Sequence, residues 1–389
     1  MNDKDIEYVI NENGRQYVGI EVETKGNKDK VKVHLPIGYS YQKSEKISSK
    51  SIMQILKLIS KKRNIGLEQE EGENIFPVLL AQRIVENYLQ FGLYKEHEEK
   101  IDLKSKGRIH WKKTIHYPQP FINNQTIYAN LLRSHVDYFV EGQVQEIQKH
   151  CLSYISRMIG IFLEFSYPKV HCQYGQNEMK QILQKKLKST NQDYQIETLT
   201  MLLDFVSHVN FNKIENHVIG IKYQIFEYVW QELVDVIGCK DISKYLPQAN
   251  YYDMNGKVMS KVNPLLPDTI VEKEADVFVL DAKYYRKESL PDQKDIFKQV
   301  RYGEYVYHSS GGKRVINAFI LPNCLKGEKK VVVTGYAMLE NGTKFEEKER
   351  KSYEKVLVCY VDTKSLIEKP EEMMEMVLVE LEDWANRII

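Results

Sequence analysis

The chain has 389 residues, of which 42% are hydrophobic, and its formal net charge is +1 at pH 7. This length predicts two or three domains, and this apolar share suffices for packed cores. No run of about 18 apolar residues predicts a membrane span, and the first residues lack the basic and then apolar pattern of a signal peptide. We therefore expect a cytoplasmic protein that does not associate with membranes.

The near-neutral charge also bears on nucleic-acid binding, because an enzyme that holds DNA unaided usually carries a clear positive excess. Either the basic residues cluster, or a partner supplies part of the contact with DNA. Five cysteines are scattered without C-x-x-C pairs, which argues against zinc ribbons and disulfide frameworks and for a reducing compartment. The sequence also lacks a Gly-x-x-x-x-Gly-Lys-[Ser/Thr] loop, so any nucleotide-driven step belongs to another subunit.

Residues 1–135 predict a mixed α/β domain for docking a partner or recognising DNA. Hydrophobic periodicity predicts strands over residues 17–22 and 31–35, and helices over residues 52–59 and 75–91. The segment 95–113 is mostly charged, and its basic side chains are Lys104, Lys106, Arg108, Lys112 and Lys113. Two interpretations stay open for this segment: a solvated loop, and a contact with phosphate or with a partner.

Residues 136–215 predict a helical bridge, and residues 216–389 predict a second α/β domain. No Gly/Ser-rich linker marks a sharp boundary between them. Apolar stripes predict bridge helices over residues 143–165, 177–188 and 196–209. The elements predicted for the last segment are a helix over 218–237, a hairpin over 266–284, a helix over 292–307, strands over 315–320, 331–338 and 356–360, and an acidic, solvated cap helix over 366–389.

The predicted hairpin carries a pattern of charges that indicates chemistry. Because side chains alternate along a strand, Asp281 and Lys283 project to the same side, and the hairpin can bring Asp268 beside Asp281. A carboxylate and an ammonium on an otherwise apolar strand are costly unless something pairs or uses them. Two acids that converge with a lysine predict a hard-cation site beside a charge that orients water or stabilises a phosphate. The alternative is a surface hairpin with an ion pair at a strand edge.

Pro267-Asp268, a hairpin and then Asp281-Ala282-Lys283 form a pattern that resembles the PD-(D/E)xK nucleases. The predicted order of helix, strands and Gln-bearing helix is similar to the αβββαβ core of that superfamily. The resemblance implies an α/β fold class, with a C-terminal restriction-endonuclease-like core whose mixed sheet is flanked by helices. It further implies hydrolysis of phosphodiester bonds.

The same resemblance assigns roles to residues of this chain. One or two Mg²⁺ ions are expected on Asp268, Asp281, the backbone carbonyl of Ala282 and an acid on the preceding helix. Glu232 is the preferred helix acid and Glu227 its competitor, since periodicity alone does not decide between them. Lys283 is expected to position the attacking water or the scissile phosphate. Gln299 is expected to hydrogen-bond the lysine, water or DNA backbone, with a helix-surface amide as the alternative.

Several longer stretches are similar to the LlaJI family of restriction endonucleases. They are residues 281–285, the Phe-x-x-x-Trp helix at 226–230, residues 295–302, residues 107–115 and, more weakly, residues 34–39. Members of this family resemble McrC, the nuclease subunit that works with a GTP-driven AAA+ partner in modification-dependent restriction. One departure is that Gln299 and Tyr302 do not match the Gln-x-x-x-Tyr spacing of RecB-like nucleases, because Gly303 occupies that place. A RecB-type exonuclease is therefore disfavoured.

The LlaJI resemblance implies a Mg²⁺-dependent endonuclease subunit of a restriction, or phage-defence, system. Its expected partners are double-stranded DNA and a McrB-like AAA+ GTPase, with a homodimer for double-strand cleavage. Two alternatives stay open: a self-sufficient type II enzyme that reads its own site through the N-terminal half, and a non-cleaving assembly subunit of an NTPase ring. Intact Asp268, Asp281 and Lys283 count against the non-cleaving subunit. The near-neutral charge favours the nuclease that works with a partner over the self-sufficient enzyme.

Overall fold

The computed structural model describes residues 6–9, 17–25, 28–39, 41, 47–61, 76–103, 107–122, 125–139, 142–209, 211, 217–247, 249–262, 266–285, 289–340 and 351–388. The strands are β1 (Ile6–Val9), β2 (Tyr17–Lys25), β3 (Lys28–His34), β4 (Glu96–Asp102), β5 (Arg108–Ile109), β6 (Phe121–Ile122), β7 (Gln125–Thr126), β8 (Arg133–Phe139), β9 (His217–Lys222), β10 (Asn250–Tyr252), β11 (Val258–Lys261), β12 (Thr269–Glu272), β13 (Asp276–Ala282), β14 (Arg314–Asn323), β15 (Val331–Ala337) and β16 (Val356–Asp362). The helices are α1 (Ser49–Lys61), α2 (Val78–Phe91), α3 (Trp111–His116), α4 (Gln143–Met158), α5 (Gln176–Lys188), α6 (Asp193–His208), α7 (Tyr223–Val234), α8 (Gln293–Ser309), α9 (Thr363–Glu368) and α10 (Pro370–Ile388).

The chain forms two compact units whose boundaries differ from the predicted ones. The first unit comprises Met1–Phe76 together with Lys213–Ile389, and the second comprises Pro77–Asn212. The sequence predicted three segments, 1–135, 136–215 and 216–389. Among the described residues, no helix has the length and apolarity needed to cross a bilayer.

Strand pairing explains why the N-terminal strands belong to the same unit as the C-terminal core. In the first sheet, of order β1-β3-β2-β9, the strand β9 runs antiparallel to β2. The predicted helix from Val218 is therefore wrong over residues 218–222, where the backbone pairs with β2 instead, and α7 begins only at Tyr223. The run His217–Lys222 contains the β-branched residues Val218, Ile219 and Ile221, which fit a pleated sheet well.

The second sheet of the first unit has the order β12-β13-β14-β16-β15. Its three central strands are parallel, while β12 and β15 pair antiparallel at the two edges. Every residue of β13 and β16 is buried, and their near-continuous apolar runs suit strands that are covered on both faces. The predicted mixed α/β fold and the predicted hairpin are confirmed. Between α7 and α8 lie β10, β11, β12 and β13, of which β12 and β13 join the second sheet while β10 and β11 form a separate two-stranded sheet.

Two long helices cover this sheet. Tyr302 and Val306 of α8 pack in one cluster with Val277, Val279 and Val315 of β13 and β14. Helix α10 packs against β14, β15 and β16. It was predicted as a solvated cap, but it carries a buried face. The buried residues of α10 recur at helical spacing and are Met373, Met374, Val377, Leu378, Leu381 and Ala385.

A short loop of the N-terminal region, residues 35–39, is held against the second sheet. The amide of Ile37 donates to the hydroxyl of Tyr284 at 2.7 Å, and its carbonyl accepts from the hydroxyl of Thr363 at 2.8 Å. Gly38 has φ +69°, and a Cβ added to it would lie 2.6 Å from the backbone nitrogen of Asn323. Positive φ together with this close approach requires glycine. The stretch after Lys283 is thereby fixed by a segment some 250 residues earlier in the chain.

The second unit contains the basic segment. This unit has a three-stranded sheet of order β4-β8-β5. It also has a group of helices in which α2, α4 and α5 each pack on α6. The segment 95–113 forms β4, β5 and the start of α3 rather than one solvated loop. Arg108, Lys112 and Lys113 are exposed, whereas Lys104 and Lys106 lie outside the described residues.

Replacing Gly38 by alanine should destabilise the protein more than the same change at Gly256. Both glycines have positive φ, +69° and +80°, but a Cβ on Gly256 would meet nothing within 4 Å. We expect Gly256→Ala to lower the free energy of unfolding by about 1 kcal/mol through backbone strain alone, and Gly38→Ala by about 3 kcal/mol because strain and overlap add. Urea unfolding of both variants measures the difference, and equal losses would show that the loop is not held on the sheet.

Candidate active site

The hairpin brings two carboxyl groups together where the central strand β13 ends. Thr269 pairs with Leu280, so Asp268, one residue earlier, lies beside the end of β13. Its Oδ2 accepts a hydrogen bond from the Ala282 amide at 2.8 Å. Burial raises the pKa of Asp268 to about 6, and the charge of Asp281 adds to the effect. The predicted convergence of Asp268 and Asp281 is therefore present in the structure.

Lys283 lies between two carboxylates, only one of which the sequence analysis named. Its Nζ is 2.9 Å from Asp281 Oδ2 and 3.0 Å from Asp295 Oδ1, and its side chain is 12% exposed. Burial alone would lower the pKa of Lys283, but the charge of Asp281 and the hydrogen bonds to both carboxylates raise it above its ordinary value. The lysine is therefore held charged and fixed in position.

Asp295 is not among the residues predicted for the site, although the sequence contains a signal for it. Asp295 follows Asp292, whose side chain accepts from the Asp295 amide at 2.9 Å and caps α8. The helix dipole alone favours an acidic residue in the first turn of a helix. An aspartate at this position therefore does not by itself indicate a role in catalysis. Its position four residues before Gln299, on the same helical face, could have linked it to the site.

Helix α7 contributes a half-buried acid and an amide. Burial raises the pKa of Glu227, and the charges of Lys283 and Asp281 act on it in opposite directions. Gln231, four residues later, has its Nε2 3.4 Å from Asp268 Oδ1. Residues four apart share a helical face, so one side of α7 faces the carboxylate pair.

Helix geometry separates the two acids that the sequence left as competitors. Glu227 and Glu232 are five residues apart, which is about 140° around a helix of 3.6 residues per turn. Glu227 is half-buried and within electrostatic range of the site, whereas Glu232 is exposed. The preference for Glu232 stays a prediction, and the placement of the two side chains favours Glu227 as the helix acid of the site.

Helix α8 presents buried polar groups to the same site. Gln299 is fully buried, and its Nε2 donates to the Val279 carbonyl of β13 at 2.8 Å. It is thus not a helix-surface amide, and this contact fixes α8 against the strand. Burial raises the pKa of Tyr302 to about 12, with contributions from the charges of Asp281 and Asp268. Among the described residues, neither Gln299 Oε1 nor the Tyr302 hydroxyl has a hydrogen-bond partner.

The site offers oxygen ligands of the kind that Mg²⁺ prefers. Asp268 and Asp281 are buried acids with raised pKa values, and burial is the first cause in both. Two carboxyl groups in this setting carry charge that Lys283 only partly compensates, since Lys283 also pairs with Asp295. In the part of the chain that the structure describes, no three His, Cys, Asp or Glu side chains already cluster as metal ligands. A third carboxylate would therefore reach a cation bound by Asp268 and Asp281 only after a change of side-chain conformation.

The raised pKa of Asp268 predicts how stability depends on pH. The pKa rises from 3.8 unfolded to about 6 folded, so the folded state binds the proton more tightly and loses stability as pH rises through this window. Without divalent metal, Asp268→Asn should therefore stabilise the protein at pH 8 by about 2 kcal/mol. The gain should shrink as the pH is lowered from 6 to 4.

Thermal melting in EDTA at several pH values measures this gain. Asp253→Asn serves as the control, since Asp253 lies in an exposed turn, where its side chain accepts from the amides of Asn255 and Lys257. A pH-independent effect of Asp268→Asn would contradict a buried, destabilised carboxylate at this position.

Comparison with known proteins gives one strong match and two weak ones. A family model described as LlaJI restriction endonuclease matches residues 17–340. No curated protein matches. A chain from a tetradecameric assembly of Thermococcus gammatolerans McrB AAA+ hexamers with bound McrC is similar over 93% of this chain and 83% of that one, at 12% identity and a TM-score of 0.39.

A chain of the Thermococcus gammatolerans McrBC complex is similar over 56% of this chain and 65% of that one, at 14% identity and a TM-score of 0.28. This chain thus spans just under two thirds of that second chain. The family match covers most of the sequence, including the strands and helices that build the site. The protein belongs to the LlaJI restriction endonuclease family.

Proposed function

We propose that this protein is a Mg²⁺-dependent deoxyribonuclease that hydrolyses phosphodiester bonds of double-stranded DNA in the cytoplasm. The observation that carries the proposal is the pair of the buried Asp281 and the partly buried Asp268, with Lys283 fixed 2.9 Å from Asp281 at the end of β13. Buried charges of this kind lower stability, so their presence is best explained by catalysis. The nuclease family of the chain agrees with this reaction.

The metal ligands that we propose are Asp268, Asp281, the backbone carbonyl of Ala282 and, on α7, Glu227. When bound, Mg²⁺ would lower the pKa of a coordinated water and neutralise charge on the phosphate. Desolvation raises the pKa of Asp268 to about 6, so protons compete increasingly with a cation for this carboxyl as the pH falls below that value. Glu227 is less buried than Asp281, so its side chain has room to turn toward a bound cation.

The chain's own groups would orient the reactants. Lys283 is held by Asp281 and Asp295, so its ammonium can hold a water or a phosphate oxygen with little loss of side-chain entropy. Gln299 secures α8 on β13 through the Val279 carbonyl. We assign Gln299 this positioning role in place of a direct contact with DNA.

We further propose that a McrB-like AAA+ GTPase works with this nuclease. The sequence has no phosphate-binding loop of its own, and its net charge of +1 gives little unaided attraction for DNA. The exposed Arg108, Lys112 and Lys113 of the second unit are the proposed contact. A homodimer would supply two sites for cutting both strands. The alternatives are a self-sufficient type II enzyme and a non-cleaving assembly subunit, and the buried carboxylate pair argues against the last.

Asp281→Ala should abolish DNA cleavage while the protein remains folded. Removing this carboxylate deletes a proposed metal ligand and one partner of Lys283, and loss of such a ligand lowers rates by about a thousandfold or more. Cleavage of plasmid DNA with Mg²⁺, with the partner and GTP added where they are needed, measures this. Undiminished cutting by a folded variant would remove the hairpin from the active site.

The same assay distinguishes the two acids of α7. Glu227→Gln should reduce cleavage strongly, because this side chain lies within the electrostatic field of Asp281 and Lys283. Glu232→Gln is the matched control on the same helix and should have a mild effect, since Glu232 is exposed. A larger loss with Glu232→Gln would reverse this assignment.

The partner contact predicts a defect that does not depend on DNA. Changing Arg108, Lys112 and Lys113 to alanine should lower the fraction of the nuclease that binds the AAA+ partner, and also the rate at which the partner hydrolyses GTP, in samples without DNA. The reason is that exposed cations can pair with acidic groups of the partner. Lys185→Ala with Lys188→Ala, exposed lysines of α5 in the same unit, is the control. If only salt-sensitive DNA binding falls, the segment contacts DNA and not the partner.

A further inference from the structure

Helix α8 carries a lysine at the site that forms no ion pair within the part of the chain that the structure describes. Lys283 is within 3.0 Å of two carboxylates, whereas Lys298 has neither an ion pair nor a hydrogen bond to any residue that the structure describes. The Lys298 Nζ lies 5.4 Å from the centre of the Tyr302 ring. The site thus contains one cation whose charge is compensated and a second, half-buried cation that is available to a ligand.

The position of Lys298 follows from the register of α8. Asp295, Lys298, Gln299 and Tyr302 occupy positions 0, +3, +4 and +7, which form one helical face. Two contacts fix that face toward β13: Asp295 with Lys283 at 3.0 Å, and Gln299 with the Val279 carbonyl at 2.8 Å. Lys298 therefore projects to the side of the carboxylates, and its positive charge lowers the pKa of both Asp268 and Asp281.

Tyr302 supplies a second feature that points to a ligand. Its side chain is 4% exposed, and its hydroxyl has no hydrogen-bond partner among the described residues. The charges of Asp281 and Asp268 act on this hydroxyl, which places it in the field of the carboxylate pair. A buried hydroxyl without a partner is costly, so a hydrogen-bond acceptor that enters the site would relieve that cost. The ring also supports the Lys298 ammonium through a cation–π contact.

We propose that Lys298, assisted by the Tyr302 hydroxyl, binds the phosphodiester group of the DNA at this site. The proposal rests on the nuclease function above and divides the work between two lysines. Lys283, already neutralised by Asp281 and Asp295, orients the water. Lys298 contacts a non-bridging phosphate oxygen and offsets the repulsion between the phosphate and the two carboxylates. An ammonium that forms no ion pair with the described residues suits this contact, because none of those pairs must break when DNA arrives.

Lys298→Met tests the proposal while keeping the aliphatic stem against the Tyr302 ring. Binding of linearised plasmid DNA is measured in Ca²⁺ over a range of salt concentrations, and cleavage is measured in Mg²⁺. We expect the slope of log K against log salt to fall by about one, as for loss of one phosphate contact. Cleavage should fall by about tenfold or more. Lys294→Met, an exposed lysine one turn earlier on α8, is the matched control and should change neither quantity.

Metal binding should change in the direction opposite to DNA binding when Lys298 is replaced. Because Lys298 repels a cation at Asp268 and Asp281, Lys298→Met should tighten Ca²⁺ binding to the DNA-free protein by about threefold, whereas mere loss of folding would weaken it. Lys298→Arg should restore most of the DNA binding. Wild-type-like cleavage and salt dependence in a folded Lys298→Met variant would overturn the role of Lys298 and leave the nuclease proposal standing. A wild-type protein that neither binds Ca²⁺ nor cleaves DNA would instead overturn the nuclease proposal.

Discussion

The burial of two carboxyl groups at the end of one apolar strand is the constraint on which the rest of the site depends. Asp268 and Asp281 each have a raised pKa whose first cause is loss of water. Neighbouring groups partly offset this cost. The Ala282 amide donates to Asp268, and Lys283 pairs with Asp281. The residual negative charge favours a cation between these carboxylates.

Segments that precede and follow the hairpin in the sequence both hold this costly arrangement in place. Asp295 and Gln299 of α8 hold the lysine and the strand from the C-terminal side. From the N-terminal side, the loop at residues 35–39 contacts Tyr284, and β9 pairs with β2. The N-terminal strands are therefore part of the unit that carries the candidate active site. A site of this kind needs such support, since small displacements of reacting groups cost large factors in rate.

Sequence patterns predicted the local features of the site better than its long-range ones. The hairpin, the shared side of Asp281 and Lys283 and the Gln-bearing helix follow from alternation and helical periodicity, which act over a few residues. The stretch 218–222 was predicted as helix because its partner strand, β2, lies about 200 residues earlier, and helical spacing outweighed the β-branched residues in the prediction. Tertiary pairing overrode the local pattern there.

The same reasoning explains the residues that sequence analysis missed or left open. Asp295 resembled an ordinary acid of a first helical turn, and Lys298 an ordinary surface lysine, because only the packing of α8 on β13 reveals which face is buried. Periodicity could not separate Glu227 from Glu232, since both flank the apolar stripe of α7. The structure separates them by burial. Residue types and spacings thus predicted which residues converge at the candidate site, but the orientation of its helices required three-dimensional contacts.

The central claim, a divalent-metal site built on Asp268 and Asp281, is tested most directly by ligand-induced stabilisation. A metal that binds only the folded state raises the melting temperature with its concentration, and this measurement needs neither DNA nor a partner. The account predicts a saturable rise with Mg²⁺ or Mn²⁺ at pH 8, which disappears in Asp281→Asn and weakens at pH 5, where Asp268 is protonated. An equal rise in wild type and Asp281→Asn, or no rise in wild type, would contradict the account.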